Sequence, residues 1–135
     1  MKFDHLRDSY FSRLRAAAPL AQDKFVAMDD ALALLNAVVR SGDRICIEGD
    51  NQKQADFFAR ELVKLDPARI NRLHMTQSTL VLDEHLELFR RGIADRLDFA
   101  YSGPQSKALY QLAAEKKVQI GAIHTYLELY GRYFV

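Results

Sequence analysis

The sequence predicts an open α/β fold with a mostly parallel sheet and helices on both of its faces. Two patterns carry that prediction. Four short apolar runs alternate with helical stripes of period 3.6, and no hairpin signal joins any two of the runs. Strands linked in this way through helices pair in parallel by right-handed crossovers. At 135 residues, with 49% hydrophobic and 27% charged residues, the chain has the length and composition of one globular domain with a real core.

The elements follow in order. Residues 1–28 read as a polar helical arm. Asp29 is a suitable N-cap for a helix whose Ala31, Leu32, Leu34, Leu35, Val38 and Val39 share a face and which Ser41 and Gly42 can close. Ile45, Cys46 and Ile47 form a short continuous apolar run, as expected of a strand covered on both faces, with Cys46 a buried small hydrophobe. After Gly49, the positions Ala55, Phe58, Ala59, Leu62 and Val63 fall at helical spacing until Asp66-Pro67 ends the pattern.

A second strand is expected around Leu73 to Gln77. A helix follows in which Leu82, Leu86, Phe89 and Ile93 share a face, with Gly92 near its end and His85, Arg90 and Arg91 on the exposed side. Leu97, Phe99 and Tyr101 alternate as a third strand, Ser102-Gly103 turns, and Pro104 starts a helix with a stripe of Ala108, Leu109, Leu112 and Ala113. Lys116 and Lys117 suit the dipole at its end. Val118, Ile120, Ala122 and Ile123 make the fourth strand, and Thr125 with Glu128 is a capping-box signature for a last helix. The apolar finish at Tyr130, Tyr133, Phe134 and Val135 reads as a sequence cut from something longer.

Charge and cysteine usage bound the function. Lysine plus arginine number 19 against 18 acidic residues, a balance that offers no bulk field for nucleic acid or an anionic membrane surface. The single cysteine cannot form an internal disulfide, no signal peptide or membrane span is visible, and a reducing cytoplasm is expected. The four histidines and lone cysteine show no metal-ligand spacing, so no metal is expected.

In parallel α/β sheets, ligands approach the carboxyl ends of the strands. That rule places Glu48 to Lys53, Gln77 to Thr79, Ser102 to Gln105, and His124 with Thr125 along one rim. Backbone N–H groups at a strand-to-helix turn such as Gly49, Asp50, Asn51 and Gln52 are unpaired and can hold a phosphate, a carboxylate or an oxyanion. The same turn also reads as a plain connection with glycine for its φ angle and Asn51 as a cap. It is neither a dinucleotide fingerprint nor a P-loop. Gln77, Ser102, Gly103, Gln105 and His124 are substrate-binding candidates, Gln105 because its amide can donate to or accept from a ligand carboxylate. His74 and His124, near strand ends, read equally as hydrogen-bonded structural histidines. Glu48 is a weak candidate for a nucleophile, since a strand-end glutamate is more often solvated or paired.

Long strings then identify a family. Glu48-Gly49-Asp50-Asn51-Gln52-Lys53-Gln54-Ala55-Asp56-Phe57, Leu65-Asp66-Pro67-Ala68-Arg69, Leu73-His74-Met75-Thr76-Gln77-Ser78, Asp98-Phe99-Ala100-Tyr101-Ser102-Gly103-Pro104-Gln105 and Ile120 through Leu129 resemble the malonate decarboxylase alpha subunit. Asp50 stands where that family often has Asn, which adds a negative charge beside the expected anion site.

The resemblance implies a longer subunit related to the coenzyme A transferases, of coenzyme A transferase-like or phosphosugar isomerase-like topology. It implies exchange of acetyl for malonyl on an acyl carrier protein, with malonate consumed and acetate released. The thioester is carried on the phosphoribosyl-dephospho-CoA prosthetic group of the carrier subunit, and other malonate decarboxylase subunits are the partners. The nucleophilic glutamate of such transferases is expected in a second half, leaving no catalytic residue in this chain and the chain alone inactive. Two other readings remain open on the residues: a sugar-phosphate-binding domain of the same topology, and a non-catalytic interaction domain.

Overall fold

Strands and helices alternate as the sequence pattern requires, and the computed structural model describes residues 2–48, 55–101 and 103–122. The chain divides into two compact units at 40/41. The first contains helix α1 (Lys2–Ala17), strands β1 (Ala21–Gln22) and β2 (Phe25–Val26), and helix α2 (Ala31–Val38). The second contains β3 (Arg44–Cys46), α3 (Asp56–Leu62), β4 (Leu73–Thr79), α4 (Asp83–Arg90), β5 (Ala94–Tyr101), α5 (Ser106–Ala114) and β6 (Gln119–Ala122).

Within the first unit, α1 packs against α2, and Ala31, Leu35 and Val39 are its buried residues. Arg13 Nη1 donates to the Val38 carbonyl at 3.0 Å, placing a cation where the dipole of α2 is negative. Asp29 does not cap α2: it lies in a 3-10 turn, Met28–Asp30, and α2 begins with no side-chain cap. A small antiparallel hairpin, with Ala21 paired to Val26 and Gln22 to Phe25, corrects the expectation of a helical arm through residue 28: the long helix ends at Ala17. The hairpin's two-residue turn contains Asp23 at φ 56°, a left-handed residue of the kind such turns need but without the glycine that would advertise it.

The second unit is a four-stranded parallel sheet in the order β3-β4-β5-β6. Sequential order with right-handed crossovers stacks α3, α4 and α5 side by side, and α3 touches α4 as α4 touches α5. The core lies between these helices and the sheet. Leu62, Leu65, Leu73, Met75, Leu86, Leu88, Phe89, Ile93, Leu97 and Leu109 are buried there. Burying such side chains stabilises by roughly 1.5–3 kcal/mol each before the entropy of ordering is counted.

The sheet's other face carries polar side chains. Register aligns Arg44, His74, Arg96 and Gln119 across the four strands, and Cys46, Thr76, Asp98 and Gly121 in a second row. This corrects the reading of β3. Arg44 and Cys46 are exposed, because β3 is an edge strand and its alternate residues point to the polar face. The strand is not covered on both sides, and Cys46 is not a core residue.

His85 is the second correction. It is fully buried in the first turn of α4, not on the exposed side, whereas Arg90 and Arg91 are exposed as expected. The spacing already placed it inside, three residues after Leu82 and four before Phe89; its polar side chain obscured that phase. Expected features at Ile123 and from Thr125 onward lie outside the described residues.

Candidate functional site

The rim at the carboxyl ends of the strands is described in part. Gly49, Asp50, Asn51 and Gln52 lie outside the described residues, as do Ser102 and His124. Glu48, just past β3, is exposed, and its carbonyl accepts from the Ala55 N–H at 3.1 Å. Gln77, Gly103 and Gln105 are described and take three different positions.

Gln77 is buried at 1% exposure on the helix-covered face of β4, and neither Oε1 nor Nε2 has a hydrogen-bond partner among the described residues. A buried amide left unpaired costs about 1–3 kcal/mol, so its retention asks for a reason. Gly103, at φ 56°, turns the chain out of β5 into the 3-10 turn Gly103–Gln105, a conformation that β-carbon-bearing residues adopt only with strain. Ser106 Oγ donates to the Gly103 carbonyl at 2.7 Å and closes that turn.

Gln105 Nε2 donates to the Val81 carbonyl at 3.2 Å, so part of its amide is spent on the protein. The Val81 N–H in turn donates to His85 Nδ1 at 3.3 Å. The backbone of one residue beyond the carboxyl end of β4 is therefore held on both sides, by His85 of α4 and by Gln105 just before α5. Sequence reasoning missed this role of His85. With Nδ1 accepting, the neutral ring carries its proton on Nε2, which is buried without a partner among the described residues.

Burial lowers the His85 pKa from its ordinary value, and the nearby Glu84 only partly opposes this. Above about pH 6.5 the ring is neutral in both folded and unfolded chains and the full stability is present. Below that pH the unfolded chain takes up the proton first, so stability falls as pH drops toward the lowered folded value. Urea unfolding midpoints are expected to fall between pH 7.5 and 5.5, and a His85→Leu variant to lose part of that slope. An equal slope in the variant would assign the pH response to other groups.

His74 is placed at the other end of the sheet, in the second position of β4. Its Nε2 lies 2.9 Å from Asp98 Oδ2, and both side chains are largely buried. Asp98 lies beside Gly121 on β6, where a β-carbon would overlap Asp98 Oδ1 and stand 3.2 Å from Cγ. Glycine is thus required here by the close approach of a carboxylate. Among the described residues no group of three His, Cys, Asp or Glu side chains could hold a metal ion, and no helix is long and apolar enough to cross a membrane.

A four-stranded parallel sheet joined through helices makes the second unit an open α/β domain. Residues 2–135 match the family described as malonate decarboxylase, alpha subunit, transporter, and the chain belongs to that family. It is 49% identical over 134 residues to the acetyl-S-ACP:malonate ACP transferase of Malonomonas rubra, covering 98% of this chain and 24% of that protein. A crystal structure of a Pseudomonas malonate decarboxylase hetero-tetramer in complex with malonate superposes with a TM-score of 0.92 at 42% identity, covering 99% of this chain and 24% of its counterpart. A malonate decarboxylase alpha subunit from Acinetobacter baumannii does so at 0.90 and 37% identity, covering 100% and 25% respectively. The chain therefore spans about a quarter of the length of these relatives.

Proposed function

We propose that this chain supplies an α/β domain to a subunit that exchanges acetyl for malonyl on an acyl carrier protein, converting acetyl-ACP and malonate to malonyl-ACP and acetate. The observation that carries the proposal is the identity to the Malonomonas rubra transferase along almost the whole chain. In the exchange, the thioester C–S bond to acetyl breaks and one to malonyl forms. The oxygen given up by malonate leaves in acetate, so no oxidant or net proton is needed. The thioester is carried on the phosphoribosyl-dephospho-CoA prosthetic group of the carrier subunit. Other malonate decarboxylase subunits are the partners, a reading supported by the hetero-tetrameric Pseudomonas relative.

In the related coenzyme A transferases, a glutamate carboxylate attacks the thioester, and that glutamate is proposed to lie outside these 135 residues. A carboxylate attacks a thioester efficiently only where the tetrahedral oxyanion is stabilised, and one preorganised N–H donor is worth roughly 3–4 kcal/mol. The amides of Gly49 to Gln52 are assigned that task. The Gln77 amide, having no partner among the described residues, is available for a ligand carbonyl or an ordered water beneath the rim. Gly103 shapes the neighbouring turn, while Ser102 and His124 remain substrate-binding candidates.

Full-length subunit is expected to release acetate from acetyl-ACP on addition of malonate, read as the mass of the acylated carrier. Its Gly49→Val variant is expected to bind carrier protein and to exchange about a hundredfold more slowly. Absence of exchange by the unaltered subunit would overturn the function. Normal exchange by the variant would remove the loop from the mechanism while leaving the function standing.

A further inference from the structure

Two loops of the carboxyl-end rim meet at one residue. Val81 lies between the end of β4 at Thr79 and the start of α4 at Asp83. Its N–H donates to His85 Nδ1 at 3.3 Å, and its carbonyl accepts from Gln105 Nε2 at 3.2 Å. We propose that His85 is a positioning residue: acting through Val81, it and Gln105 fix the β4–α4 and β5–α5 loops as one piece for the acyl exchange. The inference rests on that reading of the function, and it gives Gln105 a place in the scaffold of the rim rather than on the substrate.

An imidazole is an unfavourable filler at this position. His85 is 0% exposed in the first turn of α4, and its Nε2 has no partner among the described residues. Leucine would occupy similar space without an unpaired N–H. What leucine lacks is an acceptor, so the hydrogen bond at Nδ1 is the one thing the ring supplies that packing cannot. The position suits that task. Leu82 is the N-cap residue of α4 and makes no side-chain cap bond, and His85 is the third residue of the helix. From there a capping-box glutamate would reach back to the N–H of the N-cap residue. His85 reaches one residue further, to Val81.

The second loop is shaped to meet the first. Gly103, at φ 56°, turns the chain out of β5, and the Ser106 bond to its carbonyl closes the turn. The closed turn holds Gln105, at the N-cap of α5, within reach of Val81, 24 residues earlier in the chain. The helices that follow the two loops, α4 and α5, also pack on each other. Displacing either loop therefore breaks a hydrogen bond to the other, and each is held by more than its own residues.

The test pairs two substitutions that separate the hydrogen bond from packing. His85→Asn keeps an acceptor atom at the position of Nδ1 but leaves space behind it, whereas His85→Leu fills the space and has no acceptor. In the full-length subunit, His85→Leu and Gln105→Ala are each expected to lower kcat/KM for acyl exchange about tenfold, as loss of a hydrogen bond can. The double variant should fall no further than either alone, because both act through Val81. His85→Asn should stay within about twofold of the unaltered subunit even where it unfolds more readily in urea. In the 135-residue chain, hydrogen exchange at the Gln105 side-chain amide, followed by NMR, should quicken in His85→Leu and not in His85→Asn. Activity that follows stability across the variants would overturn the proposal, as would losses that multiply in the double variant. A loss with Gln105→Ala and none with His85→Leu would overturn it too, by returning Gln105 to the substrate. Absence of acyl exchange by the unaltered subunit would remove the function, and the NMR comparison then decides by itself: an unchanged Gln105 amide in His85→Leu means that His85 does not hold the second loop.

Discussion

Gly121→Val is expected to lower the free energy of unfolding by about 3 kcal/mol, the upper end of the usual cost of forcing added carbons into a packed site. The β-carbon alone would overlap Asp98 Oδ1, stand 3.2 Å from its Cγ and lie 3.7 Å from the Leu97 carbonyl. Asp98 is 3% exposed on a short side chain, so it has little room to yield. Pushed aside, its carboxylate leaves His74 Nε2 without the partner it holds at 2.9 Å. Because the first added carbon makes the overlap, alanine should produce most of the effect of valine. A double-mutant cycle in urea checks the cause: Gly121→Ala should cost much less in an Asp98→Ala background than in the native one. Strict additivity of the two substitutions would separate Gly121 from the His74–Asp98 pair.

Phe89→Ala is expected to cost about 3–5 kcal/mol, because a buried aromatic is lost and the cavity it leaves collapses only in part. Phe89 is 1% exposed on α4, which packs against β5, and Leu86, Leu88 and Ile93 are buried around the same segment. The proper control is another phenylalanine of the same unit. Phe58 on α3 is 47% exposed and stacks edge-on with Phe57 at 5.6 Å, so Phe58→Ala should cost no more than about 1 kcal/mol. Equal losses for the two variants would mean that the helix-covered side is not where the core lies.

The sheet was legible in the sequence because its elements are long enough to show their periods. Met75 and Leu97 are buried in the strands expected to hold them, and the stripe of α5 at Leu109 and Leu112 is buried as its spacing predicts. The candidate site was legible in a weaker sense. The rule that ligands meet strand carboxyl ends chose Gln77, Gly103 and Gln105, but no local pattern separates a glutamine whose amide is unpaired from one whose amide ties down Val81. The histidines were harder still. His85 was read as surface because it is polar, and His74 could not be matched with Asp98, 24 residues away, before the register of β4 against β5 was known.

By itself, then, the sequence determined which residues share a face, where strand gives way to helix, and to which family the chain belongs, since each of these is written in local spacing or in contiguous strings of residues. Tertiary structure alone decided which face is covered. Placing β3 at the edge turned Cys46 outward, stacking three helices on one side enclosed His85, and setting β5 between β4 and β6 brought His74, Asp98 and Gly121 together. The physical reason is that burial depends on what lies across a strand or beneath a helix. Those neighbours come from distant parts of the chain, through pairings that no short stretch of sequence encodes.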